Sequence, residues 1–144
     1  MKIYIDNCVL NRLFDDKSQP RIWLEVQAMQ KLIEIIKEGD CVLIVSQVNE
    51  WENSENPQPI RKKWVDDCLR LGTRKQAVTR RSLERAHELE RSGVKGLDAL
   101  HAACAEEAGA DYLITCDDTF INRYSGGIAV MNPADFLLAY KGTI

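Results

Sequence analysis

The unbroken apolar run Cys41 to Val45, closed off by Asp40 before it and Ser46 after it, constrains this chain most. Five residues are far short of the roughly 20 needed to cross a bilayer. Without apolar–polar alternation, they describe a strand buried on both faces, as found in parallel sheets covered by helices. A second β-rich run, Lys2 to Ile5, ends in the polar turn Asp6-Asn7, and Tyr112 to Thr115 and Ile128 to Met131 repeat the theme. Gln76 to Val78 is a weaker strand candidate.

Helical patterns separate these runs. Ile22, Val26, Met29, Ile33 and Ile36 recur at helical spacing between the start signals Ser18 and Pro20 and the stop Gly39. Ser46 can cap a short helix carrying Glu50, Trp51 and Glu52, and a further helix is expected from Ile60 to Leu71, stopped by Gly72. Thr79 opens a charged helix through Arg91, and Gly96 precedes a small-residue helix closed by Gly109. Asn132-Pro133 starts a terminal helix. Strands alternating with helices predict a three-layer α/β/α sandwich with a mostly parallel central sheet, and without an evident linker or repeat, residues 1–144 form one domain.

Composition narrows the class. The N-terminus lacks the extended apolar region and cleavage site of a signal peptide, so the chain is expected in the cytoplasm with no membrane association. Its five cysteines are scattered, with no Cys-x-x-Cys pair, and are expected to be small buried hydrophobes rather than disulfides or zinc ligands. Net charge is −3, which disfavours a strongly basic nucleic-acid binder.

Four acids, Asp6, Glu52, Asp98 and Asp117, each follow an apolar run or open a helical pattern. A parallel sheet gathers the carboxyl ends of its strands on one edge, so acids placed there converge although distant in sequence. Facing carboxylates repel, and a hard divalent cation relieves that repulsion. The pattern points to metal-dependent chemistry on an anionic substrate. Removing these four from the 22 Asp and Glu leaves 18 against 19 Lys and Arg, so the rest of the surface need not repel a polyanion.

The segments Ile3-Tyr4-Ile5-Asp6-Asn7, the acid-bearing helix after the second strand, Gly96-Leu97-Asp98-Ala99-Leu100-His101-Ala102-Ala103 and Leu113-Ile114-Thr115-Cys116-Asp117 occur in that order. In this the chain resembles the PIN-domain nucleases, and among them the VapC-like toxins of bacterial toxin–antitoxin pairs, from Ile3 to about Phe136. The resemblance implies a Mg²⁺- or Mn²⁺-dependent endoribonuclease in which Asp6, Glu52, Asp98 and Asp117 hold the metal, with RNA as substrate, a small antitoxin as partner, and a homodimer as the assembled form. Asp6 and Asp117 would be the nearest ligands, with Asp98 and Glu52 binding a second ion or orienting water. A catalytically silent PIN-like binding module is the alternative, although all four acidic places are filled. A haloacid-dehalogenase-like phosphatase needs an acid where Cys8 stands, and a response-regulator receiver needs acids and a lysine not found in order here.

Other polar residues have plainer readings. His101 is expected to be a satisfied packing histidine and His87 a surface residue, neither catalytic. Asp118 reads as a helix cap or secondary partner, Asn7 as a turn residue or support for Asp6, and Thr115 as a strand hydroxyl or a contact to phosphate or metal-bound water. The basic groups at Arg61 to Lys63, Arg70, Arg74-Lys75 and Arg80-Arg81 are a solvated face or RNA phosphate contacts, and Trp23 and Trp64 are candidate interface anchors. Between Glu50 and Glu52, two residues turn a helix by roughly 200°. If Val48 and Trp51 mark the buried side, Glu52 lies nearer to it and is the one directed at the sheet edge.

Overall fold

A computed structural model, describing residues 1–141, places β1 (Lys2–Ile5), β2 (Val42–Ser46), β3 (Arg74–Gln76), β4 (Tyr112–Ile114) and β5 (Ala129–Met131) in one sheet. Their order is β3-β2-β1-β4-β5, and every adjacent pair is parallel. The chain thus builds outward from β1 on one side, then returns to build outward on the other. Such a reversal opens a crevice at the carboxyl ends of the strands flanking it.

Alternation along the strands divides the core into two layers. Ile3, Ile5, Leu43 and Val45 face α2 (Pro20–Lys37), with Val65 of α4 (Pro59–Leu69) and Phe136 of α8 (Pro133–Lys141) on the same side. Tyr4, Ile44 and Leu113 face the opposite layer, where Leu89 of α5 (Arg80–Arg91) meets the alanines of α6 (Gly96–Glu107). The small side chains of α6 allow it to lie close against the sheet. All five cysteines are free, and four are buried, as their scattered placement predicts. Among the described residues, no helix is long and apolar enough to cross a membrane.

The largest differences from the sequence reading lie in short elements. The turn expected at Asp6-Asn7 begins a one-turn helix, α1 (Asn7–Asn11), continued by a 3-10 turn over Arg12–Phe14. The third strand is Arg74–Gln76 rather than Gln76 to Val78; its charged side chains fit an edge strand, whose apolar signal is weak. Ser46 does cap α3 (Gln47–Ser54), in a reciprocal box with Asn49. The buried positions of α3 are Val48, Asn49 and Asn53, however, and Trp51 is 57% exposed. Trp51 therefore does not mark the buried side; two asparagines do, because their amides find partners inside. Trp64 is partly buried and donates Nε1–H to the Leu10 carbonyl, whereas Trp23 is half exposed on α2.

The helix stops differ in cause. Gly39 ends α2 at φ +86, where a side chain would be strained. Gly72 is needed for space, since a Cβ there would collide with the Val45 side chain.

An acid that the sequence reading passed over ties several elements together. Glu25, with its side chain 1% exposed, accepts from Arg12 Nε at 3.0 Å, Arg21 Nε at 3.2 Å and Asn132 Nδ2 at 2.6 Å. Removing Glu25 takes an acceptor from the partly buried Arg12 and Asn132, whereas Arg21 is half exposed and keeps Asp118. Glu25→Ala should therefore destabilise the protein by about 2 kcal/mol in urea unfolding, and Glu25→Gln by less, because the amide oxygen still accepts.

Candidate functional site

Asp6 follows β1 directly and its backbone N–H bonds the Ile114 carbonyl of β4, so this carboxylate leaves the sheet between the two central strands. It is 4% exposed. Its Oδ2 accepts from Thr115 Oγ1 at 2.9 Å, and Thr115 Oγ1 in turn accepts the Asp117 N–H at 3.2 Å. One threonine hydroxyl thus links the acids that end β1 and follow β4, and it also lies 3.4 Å from Cys8 Sγ.

Glu52 is brought to Asp6 by an asparagine lock. Asn49 Nδ2 donates to the Ile5 carbonyl at 3.1 Å and to Asn7 Oδ1 at 2.7 Å, while Asn7 Nδ2 donates back to the Asn49 carbonyl at 2.9 Å. This fixes α3 against the end of β1. One helical turn on from Asn49, Glu52 Oε1 meets His101 Nε2 at 2.7 Å. Glu50, on another face, pairs with Lys75 at 2.9 Å near the edge of the sheet.

His101 is fully buried, with Nε2 also 3.7 Å from Asp6 Oδ1 and Nδ1 2.6 Å from the Tyr4 hydroxyl. The expectation of a satisfied buried histidine holds for its bonding but not for its place, because its partners are the acids. The available signal was a lone polar residue on the otherwise small and apolar face of α6, which must find buried partners. One ligand atom each from Asp6, Glu52 and His101 lie within 4.8 Å of one another. Burial alone would lower the His101 pKa, but the Glu52 hydrogen bond and the charges of Asp6, Glu52 and Asp98 carry it above its ordinary value.

Asp98 stands in the first turn of α6. Its pKa is raised from 3.8 to about 6, first by burial and then by the negative charges of Asp6 and Asp117. It therefore shares an electrostatic environment with the other three acids, although it is not part of the tight group around His101. Asp117 caps α7 (Asp118–Arg123), accepting from Thr119 N–H at 2.9 Å and Phe120 N–H at 3.3 Å. The cap is thus Asp117, not Asp118; Asp118 instead pairs with Arg21 at 2.6 Å.

A cavity of about 340 Å³ adjoins Glu52, with Asn7, Asn11, Asn56, Arg12 and Arg61 in its wall. Arg12 and Arg61 are both held by Asp15, at 3.0 and 3.4 Å. Several of the remaining basic residues form surface pairs: Lys63 and Arg70 with Asp67, and Arg80 with Glu84. His87 is exposed on α5, 3.6 Å from Glu90.

The model of the PIN domain matches residues 3–125. The chain belongs to the PIN domain family. No curated protein matches the sequence. In fold, this PIN domain is similar to a chain in the crystal structure of VapBC2 from Rickettsia felis bound to a DNA fragment from their promoter, with TM-score 0.55 and 15% sequence identity. The match covers 92% of this chain and 98% of that one.

The Asp98 shift gives the PIN domain a pH signature. The folded, metal-free protein binds the Asp98 proton more tightly than the unfolded chain does, so this residue favours folding at acidic pH. That contribution is lost as pH rises from 3.8 through about 6. Thermal unfolding of metal-free protein should accordingly show Asp98→Asn more stable relative to wild type at about pH 7 than at about pH 4.

Proposed function

We propose that this PIN domain is a metal-dependent endoribonuclease and the toxin of a toxin–antitoxin pair. The observation that carries the reading is the crowding of carboxylates at the strand ends, with Asp6 buried beside Glu52 and their charges among those raising Asp98. Oxygen donors of this kind suit Mg²⁺ or Mn²⁺, and Asp6, Glu52, Asp98 and Asp117 are the residues assigned to hold it. When bound, such an ion supplies an activated water and neutralises charge on the phosphodiester undergoing hydrolysis.

The chain's own residues account for the rest. Thr115 fixes the Asp6 carboxylate and the backbone leading into Asp117, so two acids from neighbouring strands keep their relative placement without a metal. The asparagine lock does the same for the helix bearing Glu52. Arg12 and Arg61, steadied by Asp15 at the adjoining cavity, are placed to meet backbone phosphates of an RNA strand. A single domain, a homodimer and an antitoxin partner belong to the same reading, and the fold likeness to a chain of the VapBC2 structure supports its toxin–antitoxin part. The exposed Trp23 and Leu24 on α2 offer apolar surface for one of these contacts.

Purified protein should cleave single-stranded or loop RNA with Mg²⁺ or Mn²⁺ and stop when EDTA is added. Asp6→Asn and Glu52→Gln should lose on the order of 100-fold or more in rate while keeping the wild-type circular dichroism spectrum. Glu50→Gln should cleave near the wild-type rate. Cleavage that survives EDTA would overturn the metal-dependent reading, and harmless expression without a partner would overturn the toxin assignment.

A further inference from the structure

The hydrogen atoms around His101 can be assigned one by one. Ser46 Oγ accepts the backbone N–H groups of Val48 at 3.1 Å and Asn49 at 3.2 Å, which occupies both of its lone pairs. Its hydroxyl hydrogen is left to donate, and the near acceptor is the Tyr4 hydroxyl at 2.6 Å, against 3.3 Å for Asn49 Oδ1. Asn49 Oδ1 already accepts the Ser46 N–H at 2.9 Å. Tyr4, having accepted from Ser46, has one hydrogen to give, and His101 Nδ1 stands 2.6 Å away. In the neutral ring Nδ1 is therefore the acceptor, which puts the ring hydrogen on Nε2, aimed at Glu52 Oε1 at 2.7 Å.

The opposite neutral tautomer would break this circuit: its Nδ1–H would turn the Tyr4 hydrogen toward Ser46 Oγ, where no lone pair remains, and it would set a bare Nε2 against a carboxylate. Nε2 thus carries a hydrogen whether or not the ring is charged. With the single assignment above, every bond is satisfied, in keeping with the absence of any unpartnered buried side-chain polar atom among the described residues.

Resting on the metal-dependent reading above, we propose that His101 is a positioning residue: a ring that keeps a hydrogen on Nε2, holds Glu52 beside Asp6 and is not itself a metal ligand. The compact trio of Asp6, Glu52 and His101 looks like a ligand set by distance alone. The Nε2 lone pair that a metal would need is committed to the N–H bond. The oxygens of Glu52 and Asp6 remain as the donors, and the chain Ser46–Tyr4–His101 transmits the fixed geometry of the β2–α3 junction to the carboxylate.

The test is a long-range ¹H–¹⁵N correlation spectrum of the imidazoles at mildly alkaline pH, recorded without metal and with saturating Mg²⁺. The chain has two histidines, so His87→Gln assigns the signals. The expected result for His101 is a hydrogen on Nε2 in both states. Mn²⁺ titration calorimetry provides the second readout. His101→Leu should weaken binding roughly 10- to 100-fold, whereas His101→Gln, whose amide can donate in place of Nε2–H, should stay within about 3-fold of wild type. A bare or metal-bound Nε2, a Gln variant as weak as the Leu variant, or a folded Leu variant binding like wild type would each overturn the proposal. If the Leu variant does not fold, the spectrum and the Gln variant decide. Neither measurement uses RNA, so Mn²⁺ binding without RNA cleavage would sink the nuclease reading alone.

Discussion

The side chain of Asn49 is the point on which the site's geometry depends. Its oxygen closes the capping box with Ser46, and its nitrogen reaches both the last carbonyl of β1 and the side chain of Asn7. An amide has one acceptor and two donor hydrogens to place, and here all are used. The start of α3 is therefore tied to the end of β1 and not merely to its own strand. Glu52, about one turn further along the helix, inherits that placement. So does Ser46, whose hydroxyl begins the chain of bonds through Tyr4 to His101. A buried polar network of this kind works only when complete, since a buried group left without its partner costs more than a satisfied bond contributes.

The molecule uses buried acids in two different ways. Glu25 is surrounded by Arg12, Arg21 and Asn132, and its charge is met on every side, so it holds the 3-10 turn, α2 and the start of α8 together. Asp98 is partly buried among negative neighbours, and burial first, then their charges, push its pKa in the direction that disfavours the charge. Carboxylates held together against their own repulsion are an arrangement that stability alone would not select. The Glu25 network lies between the backbone following the site acids and the helices behind them, with Arg21 reaching Glu25, Asp118 and the Cys116 carbonyl at once.

Much of this architecture was legible in the chain. The apolar run Cys41 to Val45, the cap signals at Ser46 and Thr79 and the stop at Gly39 depend on neighbouring residues only, and the elements they predict are present within a residue or two. Local signals failed where a partner distant in sequence decided the outcome. Trp51 looked like core because it is large and apolar, yet Asn49 and Asn53 took the buried positions once β1 and α4 offered them hydrogen bonds. The edge strand β3 is charged because one side of it needs no apolar cover.

The sequence by itself determined the layered α/β fold and marked four acids as candidates for one sheet edge, because periodicity and strand-end position are local properties. Tertiary structure alone decided which groups touch. It put His101 rather than Asp98 against Glu52, made Asp117 the cap of α7, and turned Asp118 to Arg21. Those outcomes depend on distances between residues up to about a hundred positions apart, and on which lone pairs and hydrogens remain when the elements have packed.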